Sequence, residues 1–239
     1  MNRVERAIIM AAGFGNRMRP VTLTTPKPLV RVNGTRMIDT VIRALHANGI
    51  REIYIVTGYL GEQFRVLTRE YEGITLIENP YYDSCNNISS LYAAREHLEN
   101  AIILDGDQLI FNEEILRPGF ERSGYNAVWT EGETDEWLLT VENGIVTNCS
   151  RTGGSTGWQL YSISRWTAED GRRLRRHLEE SFAIPERRQL YWDDLALFCY
   201  PDEYELGIMP MKRDDITEID DIGELIAADP SYAGYLEVK

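Results

Sequence analysis

The first half of the chain alternates short apolar runs with longer stretches in which apolar residues recur at helical spacing. The short runs predict strands, and the amphipathic stretches between them predict helices that cover a mainly parallel sheet. Predicted strands lie at 7–12, 52–57, 75–78 and 101–104, and predicted helices at 37–48, 62–71 and 89–98. The pattern indicates an α/β protein in which a long loop follows the first strand.

After residue 124 the pattern changes to short strands separated by glycine-containing turns, which is typical of antiparallel pairing. We interpret residues of about 125–165 as an antiparallel insertion that forms part of a pocket wall, within one domain spanning 1–239. Its predicted strands lie at 125–129, 138–141, 145–148 and 159–162. Helices are predicted at 167–182, 192–199 and 222–228, and a further strand near 205–209.

The overall composition excludes several classes of protein. With a net charge of −13, the chain lacks the basic surface that nucleic acids or anionic membranes select, so we expect neither as a partner. No apolar stretch approaches the roughly 18 residues of a membrane span, and the N-terminal apolar run is too short for a signal peptide. The three cysteines are isolated and lack metal-ligand spacing. We therefore expect a cytoplasmic protein of unknown oligomeric state.

Positive charge is concentrated at the start of this acidic chain. Residues 1–36 carry seven basic side chains and one acidic one, and they include the loop after the first predicted strand. Such a loop lies where α/β sheets bind ligands, and its glycines let backbone N–H groups approach phosphate oxygens. We predict that Arg17 is a forked donor to outer phosphates and that Lys27 is a compact charge near the reacting one. The nucleotide-binding backbone is predicted at Ala11, Ala12, Gly13 and Gly15.

Two better-known phosphate-binding patterns do not fit this loop. The dinucleotide fingerprint needs a third glycine or alanine at the start of a helix, where residues 18–20 read Met-Arg-Pro. The G-x-x-x-x-G-K-[ST] loop needs Gly-Lys-Ser or Gly-Lys-Thr, and the chain contains neither. An NAD-linked oxidoreductase is therefore disfavoured. Lys27 stands between two prolines and is one of three lysines among 25 basic residues, which favours a specific role for it.

The chain resembles the nucleoside-triphosphate transferase superfamily, which includes sugar-nucleotide pyrophosphorylases and cytidylyltransferases. The similarity rests on A-A-G-x-G-x-R-M-R-P at 11–20, followed by T-P-K-P-L-V at 25–30. Further motifs are most similar to those of LicC-type CTP:phosphocholine cytidylyltransferases: Asn86-Asn87, Ser90-Leu91-Tyr92, Asp105-Gly106-Asp107, Asp135-Glu136-Trp137, Leu190-Tyr191-Trp192-Asp193 and Glu218-Ile219-Asp220. The resemblance implies a Rossmann-like three-layer nucleotidyltransferase fold with a mixed, mainly parallel central sheet and a small antiparallel insertion.

The resemblance also implies a reaction and its cofactor. CTP and phosphocholine would give CDP-choline and pyrophosphate by in-line attack on the α-phosphate, with Mg²⁺ as cofactor. Asp107, Glu218 and Asp220 correspond to the metal-binding acids of the family, and such a metal typically takes one or two carboxylates together with phosphate oxygens. Asp105 is a weaker candidate than Asp107 for binding the metal, and it is assigned instead to the nucleotide or to the phosphate-binding loop. Further nucleotide contacts are predicted at Asn87 and Ser90.

The acceptor pocket implied by the resemblance is aromatic and acidic, because a quaternary ammonium is held by ring faces and a carboxylate. Its predicted residues are Trp137, Tyr161, Tyr191, Trp192 and Asp193. Where the LicC type carries an aromatic residue after the paired asparagines, this chain has Ile88. A primary amine, as in 2-aminoethylphosphonate or phosphoethanolamine, would instead depend on hydrogen bonds to Asp193 or Asp194.

Two other functions remain as alternatives. A sugar-1-phosphate nucleotidyltransferase would use the same loop with an uncharged acceptor head group. A non-catalytic nucleotide-binding regulatory domain would keep the loop and lose the acids, whereas Asp107 and Asp220 are both present. The aromatic residues around the acceptor favour a cationic acceptor over a sugar.

Overall fold

The computed structural model describes residues 1–236 and contains a nine-stranded mixed sheet. The helices are α1 Met37–Ala47, α2 Leu67–Glu70, α3 Ile88–Ala93, α4 Ala168–Phe182 and α5 Ile222–Ala228. The strands are β1 Asn2–Arg3, β2 Arg6–Ala11, β3 Arg31–Val32, β4 Thr35–Arg36, β5 Glu52–Thr57, β6 Ile74–Glu78, β7 Ala101–Asp105, β8 Gln108–Ile110, β9 Gly119–Phe120, β10 Gly124–Thr134, β11 Leu138–Glu142, β12 Ile145–Ser150, β13 Gly154–Trp166, β14 Gly207–Pro210 and β15 Ile216–Glu218.

The parallel half of the sheet has the strand order β7-β2-β5-β6. All three pairings within it are parallel, with β2 between β5 and β7. Side chains of β2 alternate between the two faces, so that Ala7 and Ile9 pack towards α1 while Ile8 and Met10 pack towards α3 and α4. The helices therefore form layers on both sides of the sheet, in agreement with the predicted fold class.

The antiparallel half is organised by β13, which is 13 residues long. One edge of β13 pairs with β10 from Gly154 to Arg165, and the other edge pairs first with β11, at residues 158–159, and then with β7 of the parallel half, at its last four residues. Because side chains alternate along a strand, Leu160 and Ser162 face one side of the sheet and Gln159 and Tyr161 the other. The predicted insertion at 125–165 thus corresponds to β10–β13.

Several predicted helices are shorter than expected or have a hydrogen-bond pattern other than that of an α-helix. The helix predicted at 89–98 ends at Ala93, where the N–H of Ala94 is shared by the carbonyls of Ser90 and Leu91. The helix predicted at 62–71 is a 3₁₀ segment, Gly61–Val66, followed by the single α-helical turn of α2. The helix predicted at 192–199 is a short π-helix, Leu195–Cys199. Hydrophobic spacing detects these segments but does not distinguish between the three helical hydrogen-bond patterns.

None of the helices within residues 1–236 combines the length and apolar composition required to cross a membrane. The assignment of 1–239 to a single domain stays a prediction, and residues 237–239 of that range lie outside the described part.

Candidate active site

The loop after β2 folds back on itself through three 3₁₀ turns and buries Lys27. Gly15 is in the left-handed region at φ 62°, and a Cβ there would lie 3.0 Å from both the Lys27 Cβ and the Thr22 Cγ2. The Thr22 hydroxyl donates to the Gly15 carbonyl at 2.8 Å and closes the turn. Glycine is required at this position because the backbone must turn directly against the Lys27 side chain.

The adjacent strand β7 brings a carboxylate to this loop. Met10 and Asp105 are paired at the carboxyl ends of β2 and β7, and the Gly106 N–H donates to the Met10 carbonyl at 3.0 Å. Pro28 packs on Gly106, where an added Cβ would come within 3.2 Å of its ring. This close approach places Lys27 beside Asp107. Both side chains therefore lie at the carboxyl edge of the parallel strands, where α/β sheets bind ligands.

A small antiparallel ribbon, which the sequence did not predict, supplies the remaining acids. Strand β8 follows Asp107 directly and pairs with β15, so that Gln108 lies opposite Glu218. The Gln108 amide donates to Glu218 Oε1 at 2.8 Å. The ribbon carries Glu218 and Asp220 to Asp107 across more than a hundred residues of sequence.

Four charged side chains meet at this point. Lys27 Nζ lies 2.5 Å from Asp107 Oδ2 and 2.8 Å from Asp220 Oδ1, and Arg17 Nη2 lies 3.0 Å from that same Asp220 oxygen. Lys27 is 8% exposed. Burial alone would lower the pKa of Lys27, but the carboxylates of Asp107 and Asp220 outweigh it and raise the pKa, so the ammonium stays charged. The predicted catalytic residues and two of the predicted metal ligands therefore form one cluster.

The carboxyl groups around the cluster differ in their electrostatics. Removal from water raises the pKa of Glu218 to about 7, and the nearby Asp107 and Asp220 contribute to this increase. The same effect raises the pKa of Asp105 well above its usual range. For Asp220, removal from water is outweighed by Lys27 and Arg17, which lower its pKa. Asp220 is consequently the member of this set that the cations hold in its ionised form.

A cavity of about 370 Å³ lies over the glycine loop. Its lining joins the loop backbone to the charged cluster, and comprises Met10, Ala11, Gly13, Gly15, Asn16, Arg17, Lys27, Pro28, Asp105, Asp107 and Asp220. Gly13 has open space where a Cβ would stand, so a phosphate can approach its backbone. Ala12 is outside this lining, and its carbonyl accepts a hydrogen bond from the Tyr59 N–H. The cavity suits an extended anion such as a triphosphate.

A second cavity of about 260 Å³ lies on the other side of the acids. Its lining comprises Arg17, Asn87, Asp105, Asp107, Glu136, Trp137, Leu160, Ser162, Tyr191, Asp193, Glu218 and Asp220. The rings of Trp137 and Tyr191 meet edge to face with their centroids 5.8 Å apart. We call this cavity the acceptor pocket. Glu136, within the predicted 135–137 motif, and Ser162, which no sequence signal marks, are lining residues that the sequence analysis missed.

Asp193 is the most unusual polar group of the acceptor pocket. It is 7% exposed, and the buried hydroxyl of Tyr125 lies beside its carboxylate. Burial raises the pKa of Asp193 to about 7, and the adjacent Asp194 contributes to the increase. A buried carboxylate in the lining of a pocket offers a counter-charge that a ligand cation can pair with.

Other predicted residues lie farther from the acceptor pocket than the sequence implied. Trp192 is 2% exposed and packs in the core against Tyr125 and Trp166, because its side chain points inward while that of Tyr191 points outward. Tyr161 lines a neighbouring cavity instead, on the opposite face of β13. Neither ring therefore forms a wall of the acceptor pocket.

The two side chains predicted to contact the nucleotide have partners within the protein. Ser90 is buried, and its hydroxyl accepts from the Asn79 amide at 3.1 Å. Asn87 lines the acceptor pocket, and its Oδ1 accepts from the Trp192 N–H at 2.9 Å. Both residues therefore have structural roles in the described protein, and their contact with a nucleotide stays a prediction.

The acids fit a hard divalent cation. Asp107 and Asp220 direct one oxygen each at a single point, now occupied by Lys27 Nζ, and carboxylate oxygens are the ligands that Mg²⁺ prefers. In residues 1–236 no three His, Cys, Asp or Glu side chains are arranged to enclose a metal by themselves. A site of this kind suits a cation that also takes ligands from a bound phosphate.

Comparisons with known proteins agree with this geometry. Residues 7–187 match the model of the MobA-like NTP transferase domain. A 2-aminoethylphosphonate cytidylyltransferase of Lancefieldella rimae is 41% identical over 95% of this chain and 92% of its own length. A choline-phosphate cytidylyltransferase of Streptococcus pneumoniae is 34% identical over 91% and 93%. The solved structure of the CTP:phosphocholine cytidylyltransferase LicC from S. pneumoniae superimposes with a TM-score of 0.88 at 33% identity, covering 96% of this chain and 99% of that one.

Proposed function

Because this chain belongs to the MobA-like NTP transferase family and is therefore a nucleotidyltransferase enzyme, we propose that it transfers CMP from CTP to 2-aminoethylphosphonate. The observation that carries the choice of acceptor is the carboxylate of Asp193, which is 7% exposed and lines the acceptor pocket. The preference for CTP is supported by the relatives of known activity. The cytoplasmic location predicted from the sequence stays a prediction.

The reaction joins a phosphonate oxygen of the acceptor to the α-phosphorus of CTP. That oxygen supplies the electron pair of the new P–O bond, and the bond to the β-phosphate breaks with its electron pair leaving on pyrophosphate. Because the attacking oxygen is already anionic, no general base is required. Alignment and charge stabilisation are the two remaining contributions, and enzymes obtain large accelerations from both.

The charged cluster would supply the stabilisation. Lys27 is charged and pairs with Asp107 and Asp220, which line both cavities. It can therefore neutralise charge that develops on the transferred phosphate. Arg17 lines both cavities and can orient the outer phosphates with its fork. Mg²⁺, which Asp107 and Asp220 would hold with Glu218 beside them, would neutralise the leaving pyrophosphate. Backbone N–H groups at Gly13 and Gly15 complete the phosphate contacts.

The acceptor pocket favours a primary ammonium over a quaternary one. A primary ammonium donates hydrogen bonds, so it can pair with the Asp193 carboxylate of the pocket lining, and such charge-assisted bonds are stronger than neutral ones. A trimethylammonium group cannot donate and depends on ring faces. Only Trp137 and Tyr191 of the four predicted aromatic residues line the pocket. Phosphocholine remains a second candidate because these two rings are present and the S. pneumoniae relative uses that acceptor.

An acceptor panel read by pyrophosphate release tests the proposal. With CTP, we expect kcat/KM to fall in the order 2-aminoethylphosphonate, phosphoethanolamine, phosphocholine, and glucose 1-phosphate to be inactive. Asp193→Asn should raise KM for 2-aminoethylphosphonate by about 10- to 100-fold, because a hydrogen bond to a charged group contributes roughly 1.5–3 kcal/mol. Asp135→Asn, which alters an exposed carboxylate near the pocket, is the matched control and should leave KM unchanged. A preference for phosphocholine in the unmodified enzyme would contradict the assignment.

The arrangement of Lys27 predicts how the free enzyme binds metal. Because the Lys27 ammonium occupies the position between Asp107 and Asp220, a divalent cation must compete with it when no nucleotide is bound. Lys27→Met should therefore bind Mn²⁺ about tenfold more tightly than the unmodified protein in the absence of CTP. Free Mn²⁺ measured by electron paramagnetic resonance gives the affinity without any turnover. Equal or weaker Mn²⁺ binding by the variant would show that the metal does not use these two acids.

A further inference from the structure

Arg151, in the turn between β12 and β13, is a cation beside the acceptor pocket, and 44% of its side chain is exposed. Its guanidinium carbon lies 3.9 Å from the centroid of the Phe198 ring and 5.6 Å from that of Trp137. These two rings meet edge to face with centroids 5.6 Å apart. A charged group at such distances is attracted by the ring quadrupoles. The aromatic group next to the pocket therefore already holds a cation of the protein's own.

Arg151 also pairs with one of the two adjacent aspartates. Arg151 Nη2 lies 2.6 Å from Asp194 Oδ1, and the Asp194 side chain is 2% exposed. The other oxygen, Asp194 Oδ2, accepts from the Tyr191 N–H at 3.0 Å. Both oxygens of Asp194 are thus engaged within the protein, whereas Asp193 lines the acceptor pocket. By pairing with Arg151, Asp194 takes a structural role, and the Asp193 carboxylate is left available to a ligand.

We propose that Arg151 is a specificity-determining residue, which takes the cation position at Trp137 and Asp194 and so directs the acceptor's ammonium to Asp193. The proposal deepens the proposed function and rests on it for the class of acceptor, a small phosphorylated or phosphonylated amine. A primary ammonium uses Asp193 and needs little from Trp137, so Arg151 does not hinder it. A quaternary ammonium needs ring faces, and here Trp137 already carries a guanidinium whose like charge repels it.

The variant Arg151→Met combined with Asp194→Asn tests this role. Both partners change together because Arg151→Met alone would leave the buried carboxylate of Asp194 unpaired. In Asp194→Asn the amide oxygen can still accept a hydrogen bond from the Tyr191 N–H. We expect the ratio of kcat/KM for phosphocholine to that for 2-aminoethylphosphonate to rise by about tenfold, mainly through KM for phosphocholine. If Arg151 had a purely structural role, the double variant would instead lower kcat/KM for both acceptors in parallel.

Arg95→Ala is the matched control. Arg95 also lies over a ring, with its guanidinium carbon 4.2 Å from the Tyr92 centroid, and it pairs with Glu179 at 3.4 Å, but it does not line the acceptor pocket. The acceptor ratio should be unchanged in this variant. An equal shift in Arg95→Ala would overturn the assignment to Arg151.

Binding of tetramethylammonium chloride provides a readout that does not depend on turnover. By calorimetry or saturation-transfer NMR, the double variant should bind this ion at least about tenfold more tightly than the unmodified protein, and adding Trp137→Ala should abolish the gain. Equal binding by the double variant and the unmodified protein would overturn the proposal. If the unmodified enzyme used no amine acceptor, the proposed function would fail, while the tetramethylammonium titration would still decide the role of Arg151.

Discussion

Replacing Lys27 with methionine is expected to reduce kcat by about 10³-fold, the scale seen when one preorganised charge is removed from a reaction centre. Lys27 is 8% exposed, and its ammonium bridges Asp107 and Asp220 at the point where the two cavities meet. Methionine keeps the length of the stem that packs beside Gly15, so the loop geometry is preserved. The measurement is pyrophosphate release at saturating CTP and acceptor.

The variant should remain folded, which separates lost chemistry from lost structure. Asp107 and Asp220 have side chains that are 25% and 37% exposed, and Arg17 still pairs with Asp220, so water and arginine compensate the freed charge. We expect the free energy of unfolding to fall by about 1 kcal/mol, as for partly exposed ion pairs. Near-normal turnover in Lys27→Met would remove this residue from the chemistry.

Replacing Asp107 with asparagine is expected to reduce kcat by about 10²- to 10³-fold and to weaken the dependence of the rate on Mg²⁺ concentration. The amide keeps the shape of the side chain but removes one of the two charges that converge on a single point. The rate is measured across a Mg²⁺ titration, because a lost metal ligand should raise the concentration required for half-maximal activity.

Asp214→Asn is the control for Asp107→Asn. Asp214 is an exposed member of the same acidic stretch that contains Glu218 and Asp220. Its replacement by asparagine changes the net charge of the protein by the same amount as Asp107→Asn. Its Mg²⁺ titration should match that of the unmodified enzyme. If both variants shifted the titration equally, the acidic stretch would be acting through its overall charge and not through a defined site.

The parallel sheet could be predicted because its signal is local. The buried strands β2, β5 and β7 are continuous apolar runs of strand length, and each lies within one residue of its predicted position. The motif of the glycine loop likewise identified the superfamily, which the match to the NTP transferase domain confirms. In both cases the information lies within a short stretch of sequence.

The assembly of the site could not be predicted in the same way. The β8–β15 ribbon consists of two three-residue strands more than a hundred residues apart, and neither has a periodicity long enough to detect. Trp192 and Tyr191 are neighbours in sequence, yet one is 2% exposed and the other 50%, because a turn sends their side chains in opposite directions. Arg151 is a single arginine without a motif, and only its position over Phe198 reveals its relevance.

The alternation of side chains along β13 constrains how enzymes of this kind can change during evolution. Leu160 and Ser162 line the acceptor pocket, while Gln159 and Tyr161 line the cavity on the other face. An insertion or deletion of one residue within this strand would exchange the two sets, since a slip of one position reverses every side chain. The same slip would disturb the pairing of the strand's last four residues with β7. New acceptors can therefore arise here through point substitutions at fixed strand length, whereas insertions or deletions of a single residue are better tolerated in the turns at its ends.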